Sequence, residues 1–445
     1  MELHILPPQF SGDPEALAML QAFYSRSAES IVSRVERLGT DLTSVKAALN
    51  KFYIGYGHQS IGDCGTVTVF VENVSILAAK ALQENPLYNG QECSTRYIEL
   101  SGKVYRESDT STNWQFNQRL INANVLQGVR KEHKFVAPEN ADTAAQDRAY
   151  QTWLNATAAR AFDIARGWIT TNTLTNLSIS LTLRKFNEFT TTLMAHPLQE
   201  VRVLAKALRD KLAHHYPSGI APVSSKDQAI IDWLRTDGTG DDPKLANWYL
   251  MEPATSEDVH VGAMAHRTLT DKDRDFINAR PRHADLPNFV NSFGTVIISG
   301  GIDYGTWRDM QRHRRNQGLP PAIKPKLFHS WYLDQVKRYC ESDFYEAVAK
   351  DTGDMMTFLA NQPWTPELQY DCPLGTVVPY QYDMGLAQAI YFAELRSGNT
   401  VHAILRPIAQ CIAKYIENSG IRMDYDAEPG RFDLRRGTQT ITEKA

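Results

Sequence analysis

A strand–turn–helix order that occurs twice constrains the fold of this 445-residue chain more than any other feature. Gly65-Thr66-Val67 recurs as Gly294-Thr295-Val296, and positions 65 and 294 differ by 229. In the first copy, the alternating valines of 66–71 predict a strand, and the apolar run 75–83 predicts a short helix. The second copy, 293–316, has the same order. A repeated order of elements around a repeated tripeptide favours an internal duplication.

Long helical regions follow in each half of the sequence. Their apolar periodicity predicts helices in 14–53, 145–166, 183–215, 330–360 and 384–418. The proline-, glycine- and aspartate-rich segment 216–245 is typical of a linker, so we place the boundary near 235–250. The prediction is an α+β protein made of two tandem α/β repeats, 1–235 and 236–445, with long helices packed on small sheets.

Composition excludes several classes of function. Lys plus Arg number 47 and Asp plus Glu number 51, which leaves no broad positive surface for nucleic acid. Five widely spaced cysteines without a CxxC pair argue against a disulfide framework and a cysteine-rich zinc site, and no HExxH motif is present. We see no signal peptide and no apolar run long enough for a membrane span. We therefore expect a cytoplasmic protein without a resident metal.

The densest positive charge lies in the stretch QRHRRN, 311–316. Three arginines surround His313 at positions 312, 314 and 315. One interpretation is a helix C-terminus, where cations complement the helix dipole. Another is an anion clamp, because successive helical positions direct cations about 100° apart. A sequence-specific nucleic-acid contact is the weakest interpretation, since no wider basic surface supports it.

A second candidate is the loop QECSTRY, 91–97. Ser94, Thr95 and Arg96 offer hydroxyl groups and a guanidinium, which together suit a phosphate monoester. The competing interpretation is a surface turn whose Ser and Thr bond to local backbone. Cys93 lies in the same loop without an identifiable base beside it, so we interpret it as a packing residue.

Two further residues are ambiguous by themselves. Arg396 lies in an apolar helix, and a buried arginine must find partners because it keeps its proton. Those partners are either a structural carboxylate, such as Glu394 or Asp383, or a bound anion or ring. His58, in the loop GHQSIGD, is either a hydrogen-bonding loop residue or a ligand-binding group.

Taken together, these motifs resemble the flavin-dependent thymidylate synthases (ThyX). That family has a GHxSxxEH segment before a strand, a helix ending in RHR, a loop of the form NExSxRY, and a later helical arginine. Here the pattern is divided between the halves. The first half keeps GHQSIGD, with Asp63 in place of glutamate, and QECSTRY; it has Gln83-Glu84-Asn85 in place of RHR. The second half keeps RHR at 312–314 and the helical arginine at 396, but has lost the NExSxRY loop.

Two smaller matches belong to the same resemblance. The family's helical arginine would fall near Leu193 in the first half. A family arginine in an Ala-Arg pair is matched by Arg166, while Gln369 stands at that place in the second half. The division implies one composite site per chain, one decayed site, and a homodimer that mimics the family's tetramer.

The resemblance implies FAD-dependent methylation of dUMP at C5, with methylenetetrahydrofolate and NADPH as co-substrates. Arg396 would be the catalytic residue, favouring the anionic uracil ring at N3. The nucleotide would be bound by Gln91, Glu92, Ser94, Thr95, Arg96, Arg166, Asp309 and Arg312. FAD would be bound by His58, Ser60, Glu92, Arg312, His313 and Arg314.

Two departures keep alternatives open. Asp309 replaces the family's glutamine before RHR, and Gly385-Leu386-Ala387 replaces its FAD-contacting NAR segment. The substrate is therefore dUMP or a related pyrimidine nucleotide. The third hypothesis is a decayed nucleotide-binding protein without turnover.

Overall fold

The structure is a computed structural model. It describes residues 12–25, 27, 30–38, 42–49, 51, 53, 59–94, 98–99, 102–139, 142–235, 252–428 and 442–443. The elements up to residue 235 are α1 (Pro14–Tyr24), α2 (Ile31–Leu38), α3 (Thr43–Leu49), β1 (Thr66–Ser75), α4 (Ile76–Leu82), β2 (Ile98–Glu99), α5 (Asp109–Glu132), α6 (Thr143–Ala165), β3 (Leu174–Thr182), α7 (Leu183–Leu193), α8 (Gln199–His215) and α9 (Ser225–Arg235).

The later elements are β4 (Val259–Ala265), α10 (Asp271–Asn278), β5 (Gly294–Asp303), α11 (Tyr304–Gln311), β6 (Gln317–Gly318), α12 (Ser330–Tyr339), α13 (Ser342–Ala360), β7 (Val377–Gly385), α14 (Leu386–Arg396), α15 (Leu405–Glu417) and β8 (Thr442–Glu443). Short 3-10 helices lie at Gln59–Cys64, Arg166–Trp168, Asn288–Phe293 and Pro366–Asp371.

The sheets are small. An antiparallel sheet has the strand order β4-β5-β7-β6, with β5 and β7 in register from Thr295 opposite Gly385 to Asp303 opposite Val377. β1 pairs with β3, and the two-residue strands β2 and β8 pair in parallel. Long helices together with small sheets confirm the predicted α+β class.

Three local expectations need correction. Among its described residues, the region 14–53 contains three short α-helices, the first capped by Asp13, whose Oδ1 accepts hydrogen bonds from the backbone N–H groups of Glu15 and Ala16. Part of the expected glycine loop, 59–64, forms a 3-10 helix. The expected linker contains α9, because its Ser-Lys-Asp start and apolar Ile231 side favour a helix that buries one residue.

The chain folds as two compact units that do not coincide with the sequence halves. Unit 1 contains 1–72, 81–92 and 176–247, and unit 2 contains 73–80, 93–175 and 248–445. The repeat boundary near 235–250 falls almost wholly on residues 236–251, which lie outside the described residues. The division into repeats 1–235 and 236–445 therefore stays a prediction.

Equal element lengths support the internal repeat. β3 and β7 both have nine residues, α7 and α14 both have eleven, and each pair starts 203 positions apart. At the earlier junction the offset is 228, since α4 starts at Ile76 and α11 at Tyr304. Equivalent backbone bonds follow this register: Ile76 N–H donates to the Thr173 oxygen (3.0 Å), and Tyr304 N–H donates to the Thr376 oxygen (2.9 Å).

A reciprocal backbone contact joins two segments of unit 2 that the offset of 203 relates. The N–H of Thr171 donates to the oxygen of Cys372 (3.0 Å), and the N–H of Leu374 donates to the oxygen of Ile169 (2.7 Å). Under the offset of 203, each bond is the counterpart of the other, as expected around a local two-fold axis. Thr171, Cys372 and Leu374 are fully buried, so these bonds are shielded from water.

Aromatic packing surrounds this contact. The ring of Trp168 lies 4.9 Å from Phe328 and 6.0 Å from Tyr332, and its indole N–H donates to Thr352 Oγ1 at 3.0 Å. Gly375 lies beside them because an added Cβ would come within 2.4 Å of the Phe328 ring. This core fixes the segment that begins at Arg166 against the start of α12.

A buried ion pair anchors α14. The carboxylate of Glu394 accepts a hydrogen bond from Nη2 of Arg280, and its Oε2 accepts another from the N–H of His283 (2.9 Å). Glu394 is 1% exposed and Arg280 is 5% exposed. Breaking such a pair leaves the remaining charge buried and uncompensated.

We expect Glu394→Ala to lower the free energy of unfolding by about 3–5 kcal/mol, measured by urea denaturation. Asp271→Ala is the control, because Asp271 pairs with Arg274 on the surface (3.1 Å) with its side chain fully exposed. The control should change stability by less than about 1 kcal/mol. Equal losses in the two variants would contradict the anchoring role of Glu394.

Candidate functional site

The RHR stretch leaves the C-terminal end of α11, whose start is fixed by a side-chain cap. The N–H of Thr306 donates to Oδ2 of Asp303 (2.9 Å), an arrangement that stabilises a helix N-terminus. Arg312 is the C-terminal capping residue and is exposed, and Arg314 is half-buried. Cations at this end complement the helix dipole, as one interpretation of the sequence proposed. Arg315 is exposed and pairs with Asp285 at 3.2 Å.

Three of the predicted site residues come together at the end of α14. Arg396 is the last residue of that helix and is half-buried. Its Nε–H donates to Nε2 of His313 at 2.7 Å, and its Nη2 donates to the backbone oxygen of Asp309 at 3.3 Å. The structure therefore connects the helical arginine directly to the RHR stretch, although 83 positions separate Arg396 from His313.

The carboxylates considered as structural partners of Arg396 lie in other environments. Glu394 pairs with Arg280. Within the described residues, Oδ1 of Asp383 is buried and has no hydrogen-bond partner. The contacts that the structure does show for the Arg396 guanidinium are a neutral ring nitrogen and a backbone carbonyl.

Burial keeps His313 uncharged. It lowers the pKa of His313 to about 3; the positive charges of Arg396 and Arg312 act in the same direction, and Asp309 opposes them. A neutral imidazole can accept through Nε2 if its proton lies on Nδ1, which matches the donation from Arg396. The ring also meets Phe392 edge to face, with centroids 4.7 Å apart.

Arg166, from the first half of the sequence, lies in a buried polar cluster with the start of α11. Its Nη2 donates to Thr306 Oγ1 at 3.3 Å, and the hydroxyl of Tyr332 donates to Oδ2 of Asp303 at 2.8 Å. Burial opposes the charge of Arg166, but the neighbouring groups Tyr332, Asp309, Asp163 and Asp303 raise its pKa. Arg166 is 1% exposed, so direct contact with a nucleotide would require the surrounding side chains to move.

Asp303, Thr306 and Tyr332 were not among the residues selected from the sequence. Asp303 is fully buried, and its Oδ1 has no hydrogen-bond partner within the described residues. The available signal was Asp303 three residues before Thr306 at a strand–helix junction, a spacing typical of a helix cap. Tyr332 carried no local signal, because only the fold brings α12 to this cluster.

The first-half loop is described only in part. Gln91 is exposed, and its backbone exchanges hydrogen bonds with Ser178, whose Oγ accepts at 3.1 Å and whose N–H donates at 2.7 Å. Oε2 of Glu92 accepts from Nε2 of Gln83 at 3.0 Å. Ser94 is half-buried. Thr95 and Arg96 lie outside the described residues, so their predicted roles stay predictions.

The GHQSIGD segment is also only partly described. Ser60 is exposed on the 3-10 helix, and His58 lies outside the described residues. Asp63, which replaces the family's glutamate, pairs with Arg184 at 3.0 Å. A surface ion pair of this kind orients the segment without indicating a ligand.

None of the three positions at which the resemblance predicts a lost arginine carries a positive charge. Leu193 ends α7 as Arg396 ends α14, and it is buried. The offset of 228 places Glu84, rather than Gln83, opposite Arg312, and burial raises the pKa of Glu84 to about 8. Gln369, opposite Arg166, accepts from the N–H of Ile323 at 2.9 Å.

The side chain of Asn291 contacts the segment Gly385-Leu386-Ala387, which replaces NAR. Oδ1 of Asn291 accepts from the N–H of Ala387 at 3.0 Å. A Cβ added to Gly385 would lie 2.4 Å from the same oxygen, so the family's asparagine could not be placed there without moving Asn291. The departure seen in the sequence therefore has a structural counterpart.

Two kinds of feature are absent from the described part of the chain. No group of three or more histidine, cysteine, aspartate or glutamate residues is arranged to hold a metal ion there. None of the helices described combines the length and apolar character that a membrane crossing requires.

Known proteins match the chain as follows. Residues 10–218 match the family model "Thymidylate synthase complementing protein". UPF0159 protein Ta1429 of Thermoplasma acidophilum is 24% identical, covering 81% of this chain and 83% of its own length. A UPF0159 protein of Chlamydia pneumoniae is 23% identical, and the match covers 85% of this chain and 79% of the length of that protein. Because each match covers a similar share of this chain and of the relative, the relatives have comparable lengths and align with both halves of this chain.

Among solved structures, flavin-dependent thymidylate synthase ThyX of Helicobacter pylori, complexed with FAD and dUMP, is 15% identical. The match covers 49% of this chain and 95% of that chain, with a TM-score of 0.28.

The lowered pKa of His313 predicts a pH effect on stability. Between the ordinary value of 6.5 and about 3, the unfolded chain binds the proton before the folded chain does. Stability should therefore fall as the pH decreases through this window. His313→Gln removes this contribution, so the variant should lose less stability than the wild type between about pH 7 and about pH 5. Urea denaturation at both pH values measures the loss of stability, and parallel losses in the two proteins would contradict a neutral His313.

Proposed function

We propose that the chain is a tandem flavin-dependent thymidylate synthase, and the match of residues 10–218 to the family model "Thymidylate synthase complementing protein" supports this proposal. The reaction converts dUMP to dTMP. The methylene group of methylenetetrahydrofolate is transferred to C5 in place of the C5 proton and is then reduced to methyl. FAD, when bound, supplies the hydride for this reduction after NADPH has reduced it.

The observation that carries the proposal is the bond between Arg396 and the RHR stretch. A cation fixed beside the nucleotide stabilises negative charge that develops on the uracil ring. Arg396 would favour loss of the N3 proton and so raise electron density at C5. Arg312, exposed at the end of α11, would contact both the nucleotide and the flavin.

The residues at the end of α11 suit the diphosphate of FAD. Arg312 is exposed and Arg314 is half-buried, and arginine meets phosphate oxygens through paired N–H groups. His313, Ser60 and His58 would complete the flavin contacts, with Glu92 between flavin and nucleotide. Asn291 occupies the place of the family's NAR side chain, so that part of the flavin contact would differ from the family pattern.

The first-half loop would bind the nucleotide. Gln91, Glu92, Ser94, Thr95 and Arg96 would hold its sugar and phosphate, and the bonds from Gln91 to Ser178 and from Gln83 to Glu92 support the loop. Arg166 and Asp309 complete the proposed substrate set; Arg166 would act through the buried cluster unless that cluster opens. The chain would work as a cytoplasmic homodimer that mimics the family tetramer.

A second candidate function is C5 modification of another pyrimidine nucleotide. The observation that favours it is Asp309, which replaces a neutral family glutamine next to the proposed catalytic arginine. A carboxylate there would change which ring substituents are tolerated. Product analysis with dUMP, UMP and dCMP distinguishes the two functions.

We expect the purified protein to show flavin absorbance and to form dTMP when all co-substrates are present. A protein that binds no flavin at any concentration would contradict both enzymatic proposals and favour a nucleotide-binding protein without turnover.

Two substitutions test the division of roles. Arg96→Ala should weaken dUMP binding by about 10–100-fold, because it removes a charge-assisted contact to phosphate. Arg396→Ala should lower kcat by about 100–1000-fold with a smaller change in dUMP affinity, because its contact strengthens as charge develops. Arg315→Ala is the control, since Arg315 is exposed and pairs with Asp285. Equal dUMP affinity in wild type and Arg96→Ala would overturn the phosphate assignment.

A further inference from the structure

The contact between His313 and Arg396 joins a neutral acceptor to a permanent cation. Nε of arginine can only donate, so Nε2 of His313 must carry a lone pair. The 2.7 Å separation is short for a hydrogen bond between two nitrogens, and burial lowers the pKa of His313 to about 3. The ring is therefore uncharged over the working pH range.

The surroundings restrict movement of the His313 ring. Its backbone N–H donates to the Met310 oxygen (3.0 Å), and its backbone oxygen accepts from Asn316 N–H (3.1 Å). Phe392, one helical turn before Arg396, meets the ring edge to face at 67°. The chain turn and α14 thus fix the direction of Nε2 from two sides.

Resting on the function proposed above, we infer that His313 is a positioning residue whose neutral imidazole holds the guanidinium of Arg396 in one plane and adds no negative charge of its own beside it. Two contacts, Nε to His313 and Nη2 to the Asp309 backbone oxygen, fix that plane. A planar guanidinium is effective only in the correct orientation.

The acceptor's lack of charge has a physical reason. A carboxylate at the same distance would also orient Arg396, but its negative charge would offset the field that the guanidinium exerts on a bound ring. A neutral imidazole orients the cation without adding a negative charge that would compete with the anion developing during reaction. This role is additional to the flavin contact proposed for His313, since Arg396 uses only Nε2 of the ring.

Three substitutions separate orientation, charge and packing. His313→Gln provides a neutral acceptor, His313→Glu a charged one of the same length, and His313→Leu none. With dUMP, we expect kcat to fall by less than about 10-fold in His313→Gln and by about 100-fold or more in the other two. KM for dUMP should change by less than about 3-fold in all three, because orientation matters most in the transition state. Arg315→Gln, at an exposed position in the same stretch, is the control for surface charge.

Each other outcome contradicts the inference. Equal loss of kcat in His313→Gln and His313→Glu would mean that charge at this position is irrelevant. Retention of kcat in His313→Leu would mean that the ring only packs against Phe392. Parallel loss of flavin affinity in all three variants, with normal kcat once FAD is saturating, would assign His313 to the flavin.

A direct readout does not depend on turnover. The Nε–H signal of Arg396 in a ¹⁵N-arginine-labelled protein, assigned with Arg396→Lys, should exchange slowly with water in wild type and His313→Gln and rapidly in His313→Leu. Rapid exchange in the wild type would overturn the inference. Slow exchange in a wild-type protein that does not methylate dUMP would instead refute the proposed function and leave the positioning role of His313 established.

Discussion

The reciprocal backbone bonds between Thr171 and Cys372 and between Leu374 and Ile169 are the constraint on which unit 2 depends. They lie in a buried core, where an unmade backbone hydrogen bond is costly, so the two segments can pair in only one register. That register sets the position of Arg166 next to α11. The residue expected from the first half thereby reaches the helix that carries the RHR stretch of the second half.

Two arginines near α11, Arg166 and Arg396, have different kinds of partner. Asp303, which caps α11 and accepts from Tyr332, and Asp309 counter the buried cation Arg166. At the other end of α11, Arg396 meets a neutral imidazole and a carbonyl oxygen. Carboxylates thus counter the charge of the buried arginine, whereas the two acceptors shown for the half-buried one are uncharged. That difference suits a structural role for Arg166 and an electrostatic role for Arg396.

Much of the fold was predictable because local patterns determined it. The alternating residues of 66–71, the apolar periodicity of 183–193 and 386–396, and the proline and glycine breaks all act over a few residues. The prediction of helix throughout 14–53 was wrong, because the described residues end α1 at Tyr24 and begin α2 at Ile31, and apolar periodicity alone does not mark such ends. The 229-residue offset from a tripeptide became 228 at the strand–helix junction, since backbone pairing decides register and a three-residue match does not.

The sequence by itself determined the α+β class, and it predicted an internal repeat and the residue types of the candidate site, including Arg396 and the RHR stretch. Each of these follows from local periodicity or from a short motif. Only the tertiary structure decided that His313 accepts from Arg396, that Glu394 belongs to Arg280, and that Asp303, Tyr332 and Arg166 share one buried cluster. Partner choice and burial depend on contacts between residues 83–140 positions apart, which local sequence patterns do not contain.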